Sequence, residues 1–119
     1  WGKLKVAIAV TNSMITQHFG HCEYFLIHDI SDQQVVATQI VANPPHERGF
    51  LPQYLQKQGV DVVIAGNIGE MAVKMFTDLG IEVFRGISGT AAEVIDNYVN
   101  GRLNASDIVC REHLHHHHD

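Results

Sequence analysis

The chain has 119 residues, 45% hydrophobic and 18% charged, with a formal net charge of -5 at neutral pH. That length accommodates one domain with its own core, and the acidic balance excludes the non-specific nucleic-acid binding that depends on Lys and Arg neutralising phosphates. No apolar run reaches the ~20 residues that span a bilayer and no signal-peptide pattern opens the chain, so a cytoplasmic globular protein with neither nucleic-acid nor membrane partners is expected.

Residues 4–10, Leu-Lys-Val-Ala-Ile-Ala-Val, form a short apolar run rich in β-branched side chains and predict a buried strand. Residues 24–30 and 34–41 read as two further strands, with Ser31-Asp32 supplying the turn chemistry of a hairpin. Pro44-Pro45 stops the third strand, because proline donates no ladder hydrogen bond. The period then changes. Leu51, Tyr54 and Leu55 stand at helical spacing, with Pro52 tolerated in the first turn and Gly59 as the stop. Residues 60–65 read as a buried fourth strand. Ala72, Met75, Phe76 and Leu79 mark a second helix ended by Gly80, and residues 81–84 a fifth strand. Thr90 and Glu93 make a capping box that opens a third helix, whose inner face is Ala91, Val94, Ile95, Tyr98 and Val99, with Gly101 after it.

The order β-β-β-α-β-α-β-α predicts an α/β fold. Short connections make the first three strands antiparallel neighbours, and each strand–helix–strand step gives a right-handed crossover with parallel pairing. The expected result is a mixed five-stranded sheet ordered 3-2-1-4-5 with flanking helices, the ribonuclease-H-like arrangement. Strands 1, 3, 4 and 5 then point the same way. Their exits, residues 11–22, 43–49, 66–69 and 86–89, share the edge where open α/β sheets bind ligands. The domain is expected over residues 1–103. Residues 104–119 hold Cys110, His113 and His115 to His118 and have almost nothing to bury, so a flexible tail is expected. It reads either as an expression tag or as a natural metal-binding tail.

The exits carry the chemistry. His18, His21, Cys22 and His46 are candidate metal ligands, since imidazole and thiolate suit soft and borderline metals, and a tight turn at Gly20 would aim His18 and His21 at one centre. A closed structural zinc site is disfavoured by the spacing. Cys22 and Cys110 could pair, although a reducing compartment favours free thiols or metal ligands. His28 alternates with Phe25 and Ile27 in a strand and reads as structural. Gly66-Asn67-Ile68-Gly69 and Ser88-Gly89-Thr90 lead into helices. Their free N–H groups either meet an anion or simply make tight turns, and no Walker Gly-Lys-Ser/Thr appears. The first strand lacks the carboxylate that two-metal nuclease chemistry needs. No oxyanion hole marks Cys22 as a nucleophile.

The strings His18-Phe19-Gly20-His21, Pro44-Pro45-His46-Glu47-Arg48-Gly49-Phe50-Leu51-Pro52 and Gly59-Val60-Asp61-Val62-Val63-Ile64-Ala65-Gly66-Asn67-Ile68-Gly69, with the later Gly80-Ile81-Glu82-Val83 and Gly101-Arg102-Leu103, resemble the dinitrogenase iron–molybdenum cofactor biosynthesis family over nearly the whole chain. The resemblance implies a small ribonuclease-H-like, NifX-like domain that transiently carries an iron–sulfur or iron–molybdenum cluster between donor and acceptor proteins, without catalysis. It matches the family's histidines to His18 and His46. Ligand roles for His21 and Cys22 rest on chemistry alone. The expected cofactor-binding set is Asn12, His18, Phe19, Gly20, His46, Gly66, Asn67, Gly69, Ser88 and Gly89. A small-molecule or anion-binding module, or an enzyme using the same crevice with a single metal ion, is the alternative.

Overall fold

Val6 to Val10 are all fully buried, so the first strand is covered on both faces and must lie at the centre of the sheet. In the computed structural model, which describes residues 3–44 and 50–103 and the backbone of 108–109, it is β1, Lys3–Thr11. A two-residue strand follows, β2, Met14–Ile15, then β3, Tyr24–Ser31, and β4, Gln34–Ala42. The rest alternates: α1 (Phe50–Lys57), β5 (Val62–Ile64), α2 (Glu70–Asp78), β6 (Glu82–Phe84), α3 (Ala91–Val99) and β7 (Ile108–Val109).

The sheet runs β4-β3-β1-β5-β6-β7, with β2 pairing β1 off that path. β1 pairs antiparallel with β3, placing Val6 opposite His28, and parallel with β5, placing Ile8 opposite Ile64. β5 and β6 are parallel, with Ile64 opposite Phe84. β3 and β4 are antiparallel, so β1, β4, β5 and β6 run in one direction and their carboxyl ends share one edge.

Two short strands exceed the expected five. β2 folds back on β1 through Asn12 and Ser13, both left-handed with φ of 53° and 66°. β7 adds an antiparallel strand beside β6, so the sheet extends beyond residue 103 into the stretch expected to be tail. His46, Cys110 and the histidines from His113 onward lie outside the described residues.

The two faces bury different side chains. On one, Ala7 and Ala9 leave room for Phe19, Phe25, Leu51, Leu55, Val73 and Phe76, and α1 and α2 cover this face. On the other, Val6, Ile8, Val10, Ile64 and Phe84 pack against Ala91 and Val94 of α3. The α3 capping box forms in full: the Glu93 N–H donates to Thr90 Oγ1 at 3.1 Å, and the Thr90 N–H to Glu93 Oε1 at 3.3 Å. Among the described residues no helix is long and apolar enough to cross a membrane.

Candidate functional site

Backbone pairing knits the strand exits together. After β2, residues 16–18 run alongside the exit of β5. The Asn67 N–H donates to Gln17 O at 3.0 Å and the Phe19 N–H to Asn67 O at 2.9 Å, making an isolated parallel bridge between His18 and Asn67. The β6 exit joins the same array, because the Gly86 N–H donates to Gly66 O and the Ile15 N–H to Gly89 O, each at 2.9 Å. At its other end the Ala91 N–H reaches Ser13 O.

Phe19–His21 then form one turn of 3-10 helix, closed by the His21 N–H on His18 O at 2.8 Å. Such a turn has about three residues per turn, which splits the motif. His18 and His21 are exposed, with ring centroids 6.2 Å apart. Phe19 points inward and packs at a tilt against Phe25 at 5.7 Å and edge-on to Phe76 at 5.6 Å. Phe19 was expected to touch a cofactor; it is instead the apolar anchor that fixes the histidine turn to the core.

Cys22 is likewise a core residue, 4% exposed and packed in the Phe19 cluster. Burial pushes its thiol up to about 11, against the partial offset of hydrogen bonds from the backbone of Cys22 and Val10. Without a metal it is a neutral thiol at physiological pH, so coordination would have to release its proton and bring the buried sulfur to the surface. Its position sets it apart from the exposed His18 and His21 with which it was expected to act. Among the described residues no group of three or more His, Cys, Asp or Glu side chains converges as a metal site.

The exit of β4 is tied to the same turn. Asn43 Nδ2 donates to Cys22 O at 2.9 Å and to Gly20 O at 3.2 Å, and the Asn43 N–H donates to Glu23 O. Asn43 Oδ1 is buried and has no hydrogen-bond partner among the described residues. This role is hard to read from residue types, since an Asn before Pro-Pro reads simply as the start of a loop. Arg85 was also missed: it follows β6 and pairs through Nη1 with Glu70 Oε2 at 2.7 Å, joining the exits of β5 and β6.

The glycines divide by cause. A Cβ on Gly66 would stand 2.7 Å from Thr16 O, so close strand approach alone requires glycine there. Gly89 takes a φ of 113°, which also favours glycine. Gly69 has an ordinary φ of -68° and open space around it, and it starts α2 without a side-chain cap. Asn12, Asn67 and Ser88 are exposed around this edge, and Asn12 is fixed by its N–H on Glu23 Oε1 at 3.1 Å.

Comparison with known proteins agrees with this layout. The crystal structure of PH0822 superposes with a TM-score of 0.80 at 32% identity, covering 85% of this chain and 93% of that one. A structure of MJ0327 from Methanocaldococcus jannaschii gives a TM-score of 0.73 at 28% identity, covering 87% and 95%. The uncharacterized protein MJ0580 of the same organism is 30% identical over 105 residues, 84% of this chain and 89% of that protein. The family model described as dinitrogenase iron-molybdenum cofactor matches residues 2–101, and the chain belongs to that family.

Proposed function

We propose that the chain is a non-enzymatic carrier of an iron–sulfur or iron–molybdenum cluster, or of its precursor, in metallocofactor assembly. Donor and acceptor proteins load and unload it in the cytoplasm. One observation carries the reading: His18 and His21 are displayed together on a single turn that backbone bonds fasten to Asn67 and the Asn43 side chain holds by its carbonyls. Membership of the dinitrogenase iron-molybdenum cofactor family supports a cargo of that kind. In this reading the sheet is ribonuclease-H-like, with β2 and β7 as additions, and His46 is a third donor.

Imidazoles without thiolates suit transient binding. Permanent iron–sulfur ligation ordinarily uses Cys thiolates, and Cys22 is committed to the core. A labile cargo site needs a rigid frame and few strong bonds, and the paired loops supply that frame. Gly20, Gly69, Ser88 and Gly89 would offer backbone contacts around the cargo.

The test is anaerobic reconstitution with iron, sulfide and molybdate on protein ending at Val109, which removes Cys110 and the terminal histidines while keeping β7. A coloured protein with bound metal is expected, with His18→Ala and His21→Ala each lowering the metal content. A colourless parent, or two variants that load like the parent, would overturn the reading. One observation favours a second reading, an anion-binding module: α2 begins uncapped at Gly69 with Arg85 beside its first residue. That module stays colourless and is stabilised by phosphate.

A further inference from the structure

Among the described residues of the strand exits, 11–22, 43–44, 66–69 and 85–89, Arg85 is the one lysine or arginine. Val83 and Phe84 alternate between the two faces of the sheet, so Arg85 follows Val83 onto the face that α1 and α2 cover. There its guanidinium meets Glu70, the first residue of α2, at 2.7 Å. The pair stands at the surface, with the Arg85 side chain 39% exposed and the Glu70 side chain 84%. Water screens such a pair, so it adds little to stability and is readily exchanged.

The β5 exit lies between Arg85 and the histidine turn. On one side the Gly86 N–H donates to Gly66 O, and on the other Asn67 bridges to His18. Two inter-strand spacings, about 10 Å of sheet, therefore separate the backbone of the β6 exit from that of His18. The carboxylates of Glu23, Glu70 and Glu93 stand around the same edge. Glu23 and Glu93 are each engaged by a backbone N–H, of Asn12 and Thr90. Glu70 is the one that holds the cation.

This charge pattern bears on the cargo. His18 and His21 would coordinate a metal as neutral imidazoles. They would leave the charge of a thiometallate anion, molybdenum with terminal sulfides, uncompensated at the acidic edge of a chain whose formal charge is -5. A guanidinium offers five N–H donors in a fixed fork, and it stays charged at every pH near neutral. Resting on the carrier reading, we propose that Arg85 selects the cargo by its negative charge, and that Glu70 is an internal stand-in for that charge. Glu70 holds the guanidinium in place while the site is empty and yields it when an anionic thiometallate arrives. It competes with the cargo for one cation and so keeps binding weak enough for release.

The test is anaerobic equilibrium dialysis of the full chain against tetrathiomolybdate, a coloured dianion, with inorganic phosphate as the second probe and circular dichroism to check each variant's fold. The parent is expected to bind tetrathiomolybdate. Arg85→Gln weakens that binding at least about tenfold, the scale of a charge-assisted hydrogen bond. Arg85→Lys, which keeps the charge without the fork, falls between the two. Glu70→Gln tightens binding about two- to fivefold, the worth of an exposed ion pair. A pair that merely ties the β5 and β6 exits predicts the opposite sign, since Glu70→Gln then loosens the edge and removes a favourable carboxylate from the first turn of α2. Arg85→Gln binding like the parent, or Glu70→Gln binding no more tightly, overturns the proposal. So does a parent that binds phosphate without tetrathiomolybdate, or neither probe. The carrier reading stands or falls separately, on reconstitution with iron, sulfide and molybdate and on the His18 and His21 variants.

Discussion

Asn43 and Cys22 are joined through the backbone and not through the thiol: Asn43 Nδ2 donates to the Cys22 carbonyl oxygen at 2.9 Å while the sulfur stays in the core. The bond couples the exit of β4 to the histidine turn. Asn43→Ala would leave the Gly20 and Cys22 carbonyls without their shared donor. Losing the partner of a buried polar group costs about 1–3 kcal/mol, and a fall of that order is expected in urea unfolding. Reconstituted metal content should fall as well, because the turn loses its tether. A variant that loses stability but loads normally would separate Asn43 from the site.

Cys22 gives a chemical prediction. A thiol that is 4% exposed, with its pKa pushed up to about 11, presents little thiolate at neutral pH. Iodoacetamide should therefore modify Cys22 slowly in the native protein, at the same rate before and after cluster loading, and quickly once urea unfolds the chain. Peptide-resolved mass spectrometry keeps Cys22 distinct from Cys110. Fast native labelling that loading suppresses would return Cys22 to the ligand set.

The elements most legible in the sequence carried strong periodic or capping signals. The apolar run of β1 and the Thr90–Glu93 box both appear where expected. β2 and β7 were invisible because two residues carry no period. The β1–β2 turn also lacks the usual glycine, with Asn12 and Ser13 taking left-handed backbone themselves. For the site, connection rules foresaw that the exits share an edge, but not which way each side chain faces. His18 and Phe19 are neighbours in one motif, and a single 3-10 turn sends one to solvent and the other into the core. Burial of Cys22 follows from the same local geometry, which residue types alone do not encode.

Gly66 and Gly69 separate packing from function. A methyl group at Gly66 meets Thr16 O at 2.7 Å, which real Cβ contacts do not tolerate, so Gly66→Ala must shift backbone and lower stability by about 1–3 kcal/mol, the cost of overpacking. Gly69→Ala meets nothing and keeps an allowed φ, so its stability should equal or slightly exceed the parent's. If the cargo approaches the start of α2, Gly69→Ala nonetheless loads less metal. Unchanged loading in a stable Gly69→Ala protein would remove that position from the site.

His28 sets the response to acid. It is 7% exposed on β3, its Nδ1 lies 3.0 Å from Thr38 Oγ1, and its Nε2 is buried with no partner among the described residues. Burial holds the imidazole below its ordinary pKa, since a second proton would place an unpaired charge away from water. The unfolded chain therefore takes up that proton at a higher pH than the native one. The contribution of His28 to stability is intact above the unfolded pKa of about 6.5 and is lost as pH falls through it toward the lower native value. Urea unfolding at about pH 7.5 and about pH 5.5, on either side of that pKa, should show a larger acid loss in the parent than in His28→Gln, which carries no titrating proton. The other histidines are common to both proteins and cancel in the comparison. Equal losses in the two proteins would mean that the native strand admits the proton freely, and that the buried Nε2 finds an acceptor when charged.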